Sequence, residues 1–190
     1  PRRMDGTGPP FPTVVGSDEG DAPLSMSDAL TEAFNDQITL EFASSHAYLQ
    51  LAAYFSEQSL SGFESWMRAQ ADEERVHAMK FFDFVLDRGN EVRLGAIEAP
   101  ETLPASALDA FEIALGHAQR VTASIESLMT LAQAESDAAS YSILQWFLTE
   151  QIEEEASVGE IVDQLGFAAG NPAAILMLDR EYAGRPAAAD

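Results

Sequence analysis

Hydrophobic residues recur every three or four positions along most of the chain, which is the spacing of helices that bury one face. Together with capping residues and glycines near the segment ends, this pattern predicts helices over 28–57, 63–88, 106–134, 138–165 and 172–182. We find no run with the alternation of apolar and polar residues that is typical of a half-buried strand. The pattern therefore predicts an all-α protein.

The lengths of the connections indicate how these helices are arranged. Segment 90–105, between the second and third helices, contains Gly95, Pro100 and Pro104 and is long for a loop. Neighbouring antiparallel helices in bundles usually need only about 2–8 connecting residues, so this segment fits a crossover along the bundle. We therefore predict a four-helix bundle with a long crossover after the second helix and a short fifth helix at the C-terminus.

The N-terminal segment differs in composition from the rest of the chain. Residues 1–25 are rich in Pro, Gly, Ser, Thr and Asp, which predicts a flexible extension or an expression leader. Residues 26–190 are expected to form one domain, with Ser27 as the cap of the first helix.

Charged and polar residues interrupt the apolar stripes of three helices near their middles. They are Glu41 in the first helix, Glu74 and His77 in the second, and Gln151 and Glu154 in the fourth. A lone Glu-x-x-His pair more often lies on a solvated face. Several carboxylates in one core, however, are costly unless protons or a cation neutralise them. Because carboxylate oxygen and imidazole nitrogen are ligands of iron, manganese and zinc, a multivalent cation is the economical explanation.

The overall charge limits the partners of the chain. Against 10 Lys and Arg there are 32 Asp and Glu, a formal charge of −22, which disfavours nucleic acid and favours cations. The absence of cysteine restricts any metal to oxygen and nitrogen ligands. No apolar run approaches the ~20 residues that cross a membrane, and no signal peptide opens the chain, so we predict no membrane partner and a cytoplasmic location.

Three runs of the sequence closely resemble bacterial non-haem ferritins, and the resemblance extends from about residue 28 to 182. The runs are Leu40–Ser45 followed by Tyr48, Gln70–His77, and Gln145–Glu155. The resemblance implies a ferritin-like bundle, a homo-oligomeric cage of twenty-four subunits, and iron as the metal. It also implies that dioxygen or peroxide oxidises Fe(II) in pairs and that ferric mineral is stored inside. No haem is expected, because the fourth helix lacks a second Glu-x-x-His pair.

The same resemblance implies the residues of a di-iron centre. The first iron would be bound by Glu41, Glu74 and His77. Glu74 would bridge to a second iron, where Glu154 is a further ligand and Gln151 and Tyr48 lie close by.

A third iron site is implied by four further positions of the resemblance. Glu73, Glu150 and Glu153, with Glu154, match that site, on the path toward the interior of the cage. The helical spacing of the three residues on the fourth helix is compatible with one site. The alternative is an ordinary acidic surface cluster.

The third helix departs from the family pattern at one position. Ferritins have a glutamate ligand of the second iron after the residue that matches His117, and this chain has Ala118. We therefore predict a weaker second iron site and slower or altered oxidation. His117 is not expected to replace the missing ligand, because one step along a helix turns a side chain by about 100°.

Three functions are compatible with these observations. The chain is predicted to be a ferroxidase and iron store, with oxidation impaired because Ala118 replaces a glutamate ligand of the family. The alternatives are a metal-storage cage without efficient oxidation, and a structural bundle with protonated or hydrated carboxyls.

Overall fold

Five helices make up the structure, a computed structural model that describes residues 25–100 and 103–183. They are α1 (Asp28–Glu57), α2 (Ser61–Asp87), α3 (Ala107–Ala134), α4 (Ala138–Ala168) and α5 (Pro172–Tyr182). The described residues contain no strand. The predicted all-α architecture, with four long helices and a short fifth one, is confirmed.

Polar side chains cap most of these helices at their first turn. The side-chain oxygens of Ser27, Ser106, Asp137 and Asn171 each accept a backbone N–H at the start of α1, α3, α4 and α5. Each such bond satisfies a donor that the helix itself leaves unpaired. These caps explain why the predicted starts of the four helices agree with the observed ones within about a residue.

The start of α2 depends on α5 rather than on a local cap. Leu60, the residue before α2, offers no capping side chain. Instead the carboxylate of Asp179 in α5 accepts the backbone N–H of Phe63 at 2.9 Å. A Cβ on Gly62 would come within 1.6 Å of the Asp179 carbonyl oxygen, so only glycine permits this approach. The prediction that α2 starts at residue 63 was therefore wrong by two residues.

The end of α4 also differs from the prediction. The helix continues through Gly166 to Ala168, whereas the sequence pattern predicts an end at residue 165. The chain leaves the helix only at Ala169 and Gly170, whose φ angles are 49° and 75°. Glycine in a helix costs about 1 kcal/mol but does not prevent it, so Gly166 alone does not end α4.

The connection between α2 and α3 follows α1, as expected for a crossover. The side-chain oxygen of Asn35 accepts the backbone N–H of Arg93 at 2.6 Å, and its amide donates to the carbonyl of Glu91 at 3.0 Å. One turn further along α1, the hydroxyl of Thr39 accepts the N–H of Gly95 at 3.0 Å. These bonds satisfy backbone groups of the loop that no strand or helix would satisfy.

The hydrophobic core consists of two clusters along the bundle axis. One cluster, which includes Phe55 and Phe63, packs against α5. The other includes Phe34 and Phe81 and lies toward the N-terminal end of α1. Between them the bundle interior contains buried polar side chains.

Two further predictions concern the N-terminal segment and membrane crossing. The predicted N-terminal extension lies outside the described residues, except for Ser25. No helix among the described residues combines the length and apolarity that a membrane crossing requires.

Candidate metal centre

A layer of buried polar side chains separates the two hydrophobic clusters. α1 contributes Gln37 and Glu41, α2 contributes Glu74 and His77, and α4 contributes Gln151 and Glu154. None of these six residues is more than 7% exposed. All of them except Gln37 are identified in the sequence as interruptions of the apolar stripes, so the helical register turns them inward.

The ligand atoms of Glu41, Glu74 and His77 converge on one point. One atom from each residue lies within 4.8 Å of the others, which is close enough for all three to bind one metal ion. Both carboxylate oxygens of Glu74, Oε2 of Glu41 and Nδ1 of His77 are buried without a hydrogen-bond partner. An unsatisfied buried polar atom costs about 1–3 kcal/mol, and more if it is charged. A cation bound between these atoms would remove that cost, so the residues fit a metal site.

Burial and mutual repulsion make these carboxyls reluctant to ionise in the absence of metal. Burial raises the pKa of Glu41 to about 7, and the charge of Glu154 contributes in the same direction. The pKa of Glu74 lies well above its usual range, because of burial and of the neighbouring charges of Glu154 and Glu41. All three carboxyls therefore form one electrostatically coupled group, which gains from a multivalent cation.

His77 is held as a neutral imidazole. Burial lowers its pKa to about 4, and the positive charge of Lys80 adds to this effect. The ring packs edge-on against Trp146 and Phe147, at 5.9 and 5.5 Å between ring centres. At neutral pH its nitrogen lone pair is therefore available to a metal without competition from a proton.

The carboxylate of Glu154 is oriented by two hydrogen bonds. The Tyr48 hydroxyl donates to Oε1 at 3.0 Å, and the Gln151 amide donates to Oε2 at 3.0 Å. The structure thus places Tyr48, Gln151 and Glu154 together, close enough to Glu74 for the charge of Glu154 to raise the pKa of Glu74. Such outer partners fix the direction in which a ligand presents its oxygens.

A second group of ligand atoms lies next to the first one. Atoms of Glu73, His77 and Glu150 lie within 4.8 Å of one another. These residues include two of those expected at a third iron site. Glu153 is exposed and is not part of this group, and its place in a third iron site stays a prediction.

Position 118 offers no ligand atom to this layer. Ala118 is 1% exposed and faces the bundle interior between the two hydrophobic clusters. His117 lies half-buried in the groove between α1 and α3, where its ring centre is 6.5 Å from that of Tyr48. Among the described residues, His117 belongs to neither group of atoms that could hold a metal ion.

Sequence reasoning missed the polar contacts of four residues near the centre. Gln37 is fully buried and donates to Oε1 of Glu41 at 2.8 Å, and Ser124 in turn donates to its carbonyl oxygen. Thr122 and Glu155 form a hydrogen bond between α3 and α4. Gln37 could have been found from its position four residues before Glu41 on the same helix face.

Comparison with known proteins agrees with this fold and site. The fold and site define a four-helix bundle with a buried carboxylate–histidine layer that could hold a metal ion. Residues 31–167 match the family model described as Ferritin-like domain. Bacterial non-heme ferritins of Staphylococcus haemolyticus and Staphylococcus aureus are 37% and 35% identical over 160 residues, which cover 84% of this chain and 96% of theirs. The chain therefore belongs to the ferritin-like family, and the resemblance to bacterial non-haem ferritins is confirmed.

Solved structures of an archaeal ferritin show the same architecture. The open-pore ferritin of Archaeoglobus fulgidus is 44% identical, with a TM-score of 0.84, over 86% of this chain and 99% of that one. An engineered closed form of the same protein gives the same identity and TM-score over 86% and 100%. The fold of the present chain thus spans the whole subunit of these neighbours.

Proposed function

We propose that this protein is an iron-storage ferritin that oxidises Fe(II) at a di-iron centre within each subunit. The observation that carries the proposal is the convergence of Glu41, Glu74 and His77, four of whose buried ligand atoms lack a hydrogen-bond partner. Iron is here the substrate and cargo, with dioxygen or peroxide as oxidant. The ferric product would be stored as mineral inside a cage of twenty-four subunits, with the cytoplasm as the proposed location.

The residues of the centre are suited to bind Fe(II) and to favour its oxidation. Metal binding would release protons from Glu41 and Glu74, because burial raises the pKa of both carboxyls and a bound metal requires them ionised. His77 contributes a neutral nitrogen. Anionic oxygen ligands stabilise Fe(III) more than Fe(II), so the carboxylates favour loss of an electron from bound iron.

The second iron position is proposed to be the weaker one. Glu74 and Glu154 face it, and Tyr48 and Gln151 orient Glu154, but Ala118 supplies no carboxylate from α3. This observation favours one second candidate function, a storage cage that binds iron without efficient paired oxidation. The two candidate functions differ in the rate of Fe(II) oxidation, and both use the same first iron site.

Assembly into a cage is supported by the surface of the isolated subunit. The side chains of Phe167 and Met177, near the junction of α4 and α5, are 90% and 72% exposed. Large exposed apolar groups of this kind favour contact with other subunits. Sedimentation or native mass spectrometry tests the cage, and a monomeric mass would contradict it.

Aerobic addition of Fe(II), followed by the absorbance of Fe(III), tests the proposed oxidation. Fast colour formation at about two irons per subunit is expected for a ferroxidase, and slow formation favours storage alone. The Glu74→Gln variant should lose the fast phase, whereas Glu126→Gln, which alters an exposed carboxylate of α3, serves as the matched control. A rate equal to that of iron in buffer would contradict both functions.

A further inference from the structure

A hydrogen-bonded pair next to the second iron position involves residues to which the resemblance assigns no role. The hydroxyl of Thr122 in α3 lies 2.5 Å from Oε1 of Glu155 in α4. The same hydroxyl lies 3.1 Å from the carbonyl oxygen of Ala118 and 3.3 Å from Oε1 of Gln151. Four oxygen atoms, from Thr122 and Ala118 in α3 and from Gln151 and Glu155 in α4, therefore lie close together, one helical turn or less from Ala118.

The Thr122 hydroxyl has fewer hydrogens to donate than it has neighbouring oxygen atoms that could accept one. Gln151 uses its amide nitrogen to donate to Glu154, so its oxygen faces Thr122. The threonine hydroxyl has one hydrogen, which it cannot give to three oxygens at once. Glu155 takes part in none of the ion pairs found among the described residues. Within the described residues the Glu155 carboxylate therefore has the Thr122 hydroxyl as a hydrogen-bond donor and no Lys, Arg or His as an ion-pair partner.

The antiparallel register of α3 and α4 places Glu155 opposite Ala118, the position that provides no metal ligand. The turn at 135–137 joins the two helices, so residues that precede Thr122 on α3 face residues that follow Gln151 on α4. Thr122 contacts both Gln151 and Glu155, which places Glu155 on the side of Thr122 that leads to Ala118. Glu155 is also half-buried, so its side chain lies at the edge of the interior between α3 and α4 and not in open solvent.

We propose that Glu155 is a ligand of the second iron and supplies from α4 the carboxylate that α3 lacks. The inference rests on the proposed function, because it concerns the same di-iron centre. In the metal-free protein Thr122 holds the Glu155 carboxylate between α3 and α4. A second cation, already faced by Glu74 and Glu154, then draws this carboxylate away from the threonine hydroxyl.

Zinc binding tests the proposal without any oxidation step. Equilibrium titration of the assembled protein with Zn²⁺, and anomalous diffraction from zinc-soaked crystals, report affinity and position separately. In Glu155→Gln we expect zinc at Glu41, Glu74 and His77 as before, and at least about tenfold weaker binding at the second position. Glu160→Gln, which changes an exposed carboxylate of the same helix, should bind both ions like the unmodified protein.

Two further variants distinguish a ligand from a structural role. Ala118→Glu combined with Glu155→Gln should restore the second zinc, because the carboxylate then comes from α3. Thr122→Val removes only the hydrogen bond, and it should retain second-site binding. Equal loss in Thr122→Val and Glu155→Gln, or no loss in Glu155→Gln, would overturn the proposal. Absence of zinc from Glu41, Glu74 and His77 would instead contradict the proposed function itself.

Discussion

Glu41→Gln removes one ionisable group from the buried polar layer without changing its size, and we expect it to stabilise the metal-free protein at alkaline pH. Burial raises the pKa of Glu41 from 4.5 to about 7. A carboxyl whose folded pKa exceeds its unfolded value favours folding while it is protonated. That contribution is complete below about pH 4.5 and is lost as the pH rises through about 7.

The pKa difference sets the size of the expected effect. Each tenfold change in proton affinity corresponds to about 1.4 kcal/mol, so ionising Glu41 in the folded protein costs about 3 kcal/mol above pH 7. Glutamine avoids this cost, and its carbonyl oxygen can still accept the hydrogen bond that Gln37 gives to Glu41. For a domain of this size, about 3 kcal/mol corresponds to a rise in melting temperature of roughly 6–12 °C.

Calorimetry of metal-free protein at pH 5 and pH 8 measures this effect, with equal subunit concentration and scan rate in all samples. Glu41→Gln should melt at a higher temperature than the unmodified protein at pH 8 and at nearly the same temperature at pH 5. Glu126→Gln, an exposed carboxylate, should show neither change. The reasoning is refuted if Glu41→Gln is no more stable at pH 8, or if its gain is independent of pH.

Three other substitutions test further parts of the structure. Ala118→Glu adds a carboxylate at the second iron position and should accelerate Fe(II) oxidation, and an unchanged rate would contradict the role of that position. Tyr48→Phe removes one of the two donors to Glu154 and should weaken the second zinc about tenfold with the first unchanged; equal weakening of both would argue for a general structural effect. Asp179→Ala leaves the N–H of Phe63 unpaired and should destabilise the fold by about 1–2 kcal/mol in thermal unfolding, whereas Asp179→Asn, which keeps an acceptor oxygen, should lose less.

The sequence was sufficient to predict the helices, because their signals are local. Apolar spacing and capping residues such as Ser27 and Ser106 act within one or two turns. The start of α2 and the end of α4 were predicted less well. Gly62 is determined by its contact with Asp179 more than a hundred residues away, and the chain turns at Ala169 rather than at Gly166. Contacts between distant segments leave no periodic pattern in the chain.

Some residues of the site could be predicted from local sequence patterns, whereas others depend on tertiary packing. Glu74 and His77 stand out because helical spacing alone places them on one buried face. Thr122 and Glu155 carry no such signal, because their proximity depends on the register between α3 and α4. Glu153 has suitable spacing from Glu150 but is exposed, since the packing of α4 decides which acidic residues face α2.

Anomalous diffraction at the iron edge, from crystals soaked anaerobically with Fe(II), tests the central claim most directly. We expect a strong peak bonded to Glu41, Glu74 and His77, and a weaker one beside Glu154. Iron found only on exposed acidic residues, with no density in the buried polar layer, would contradict the account.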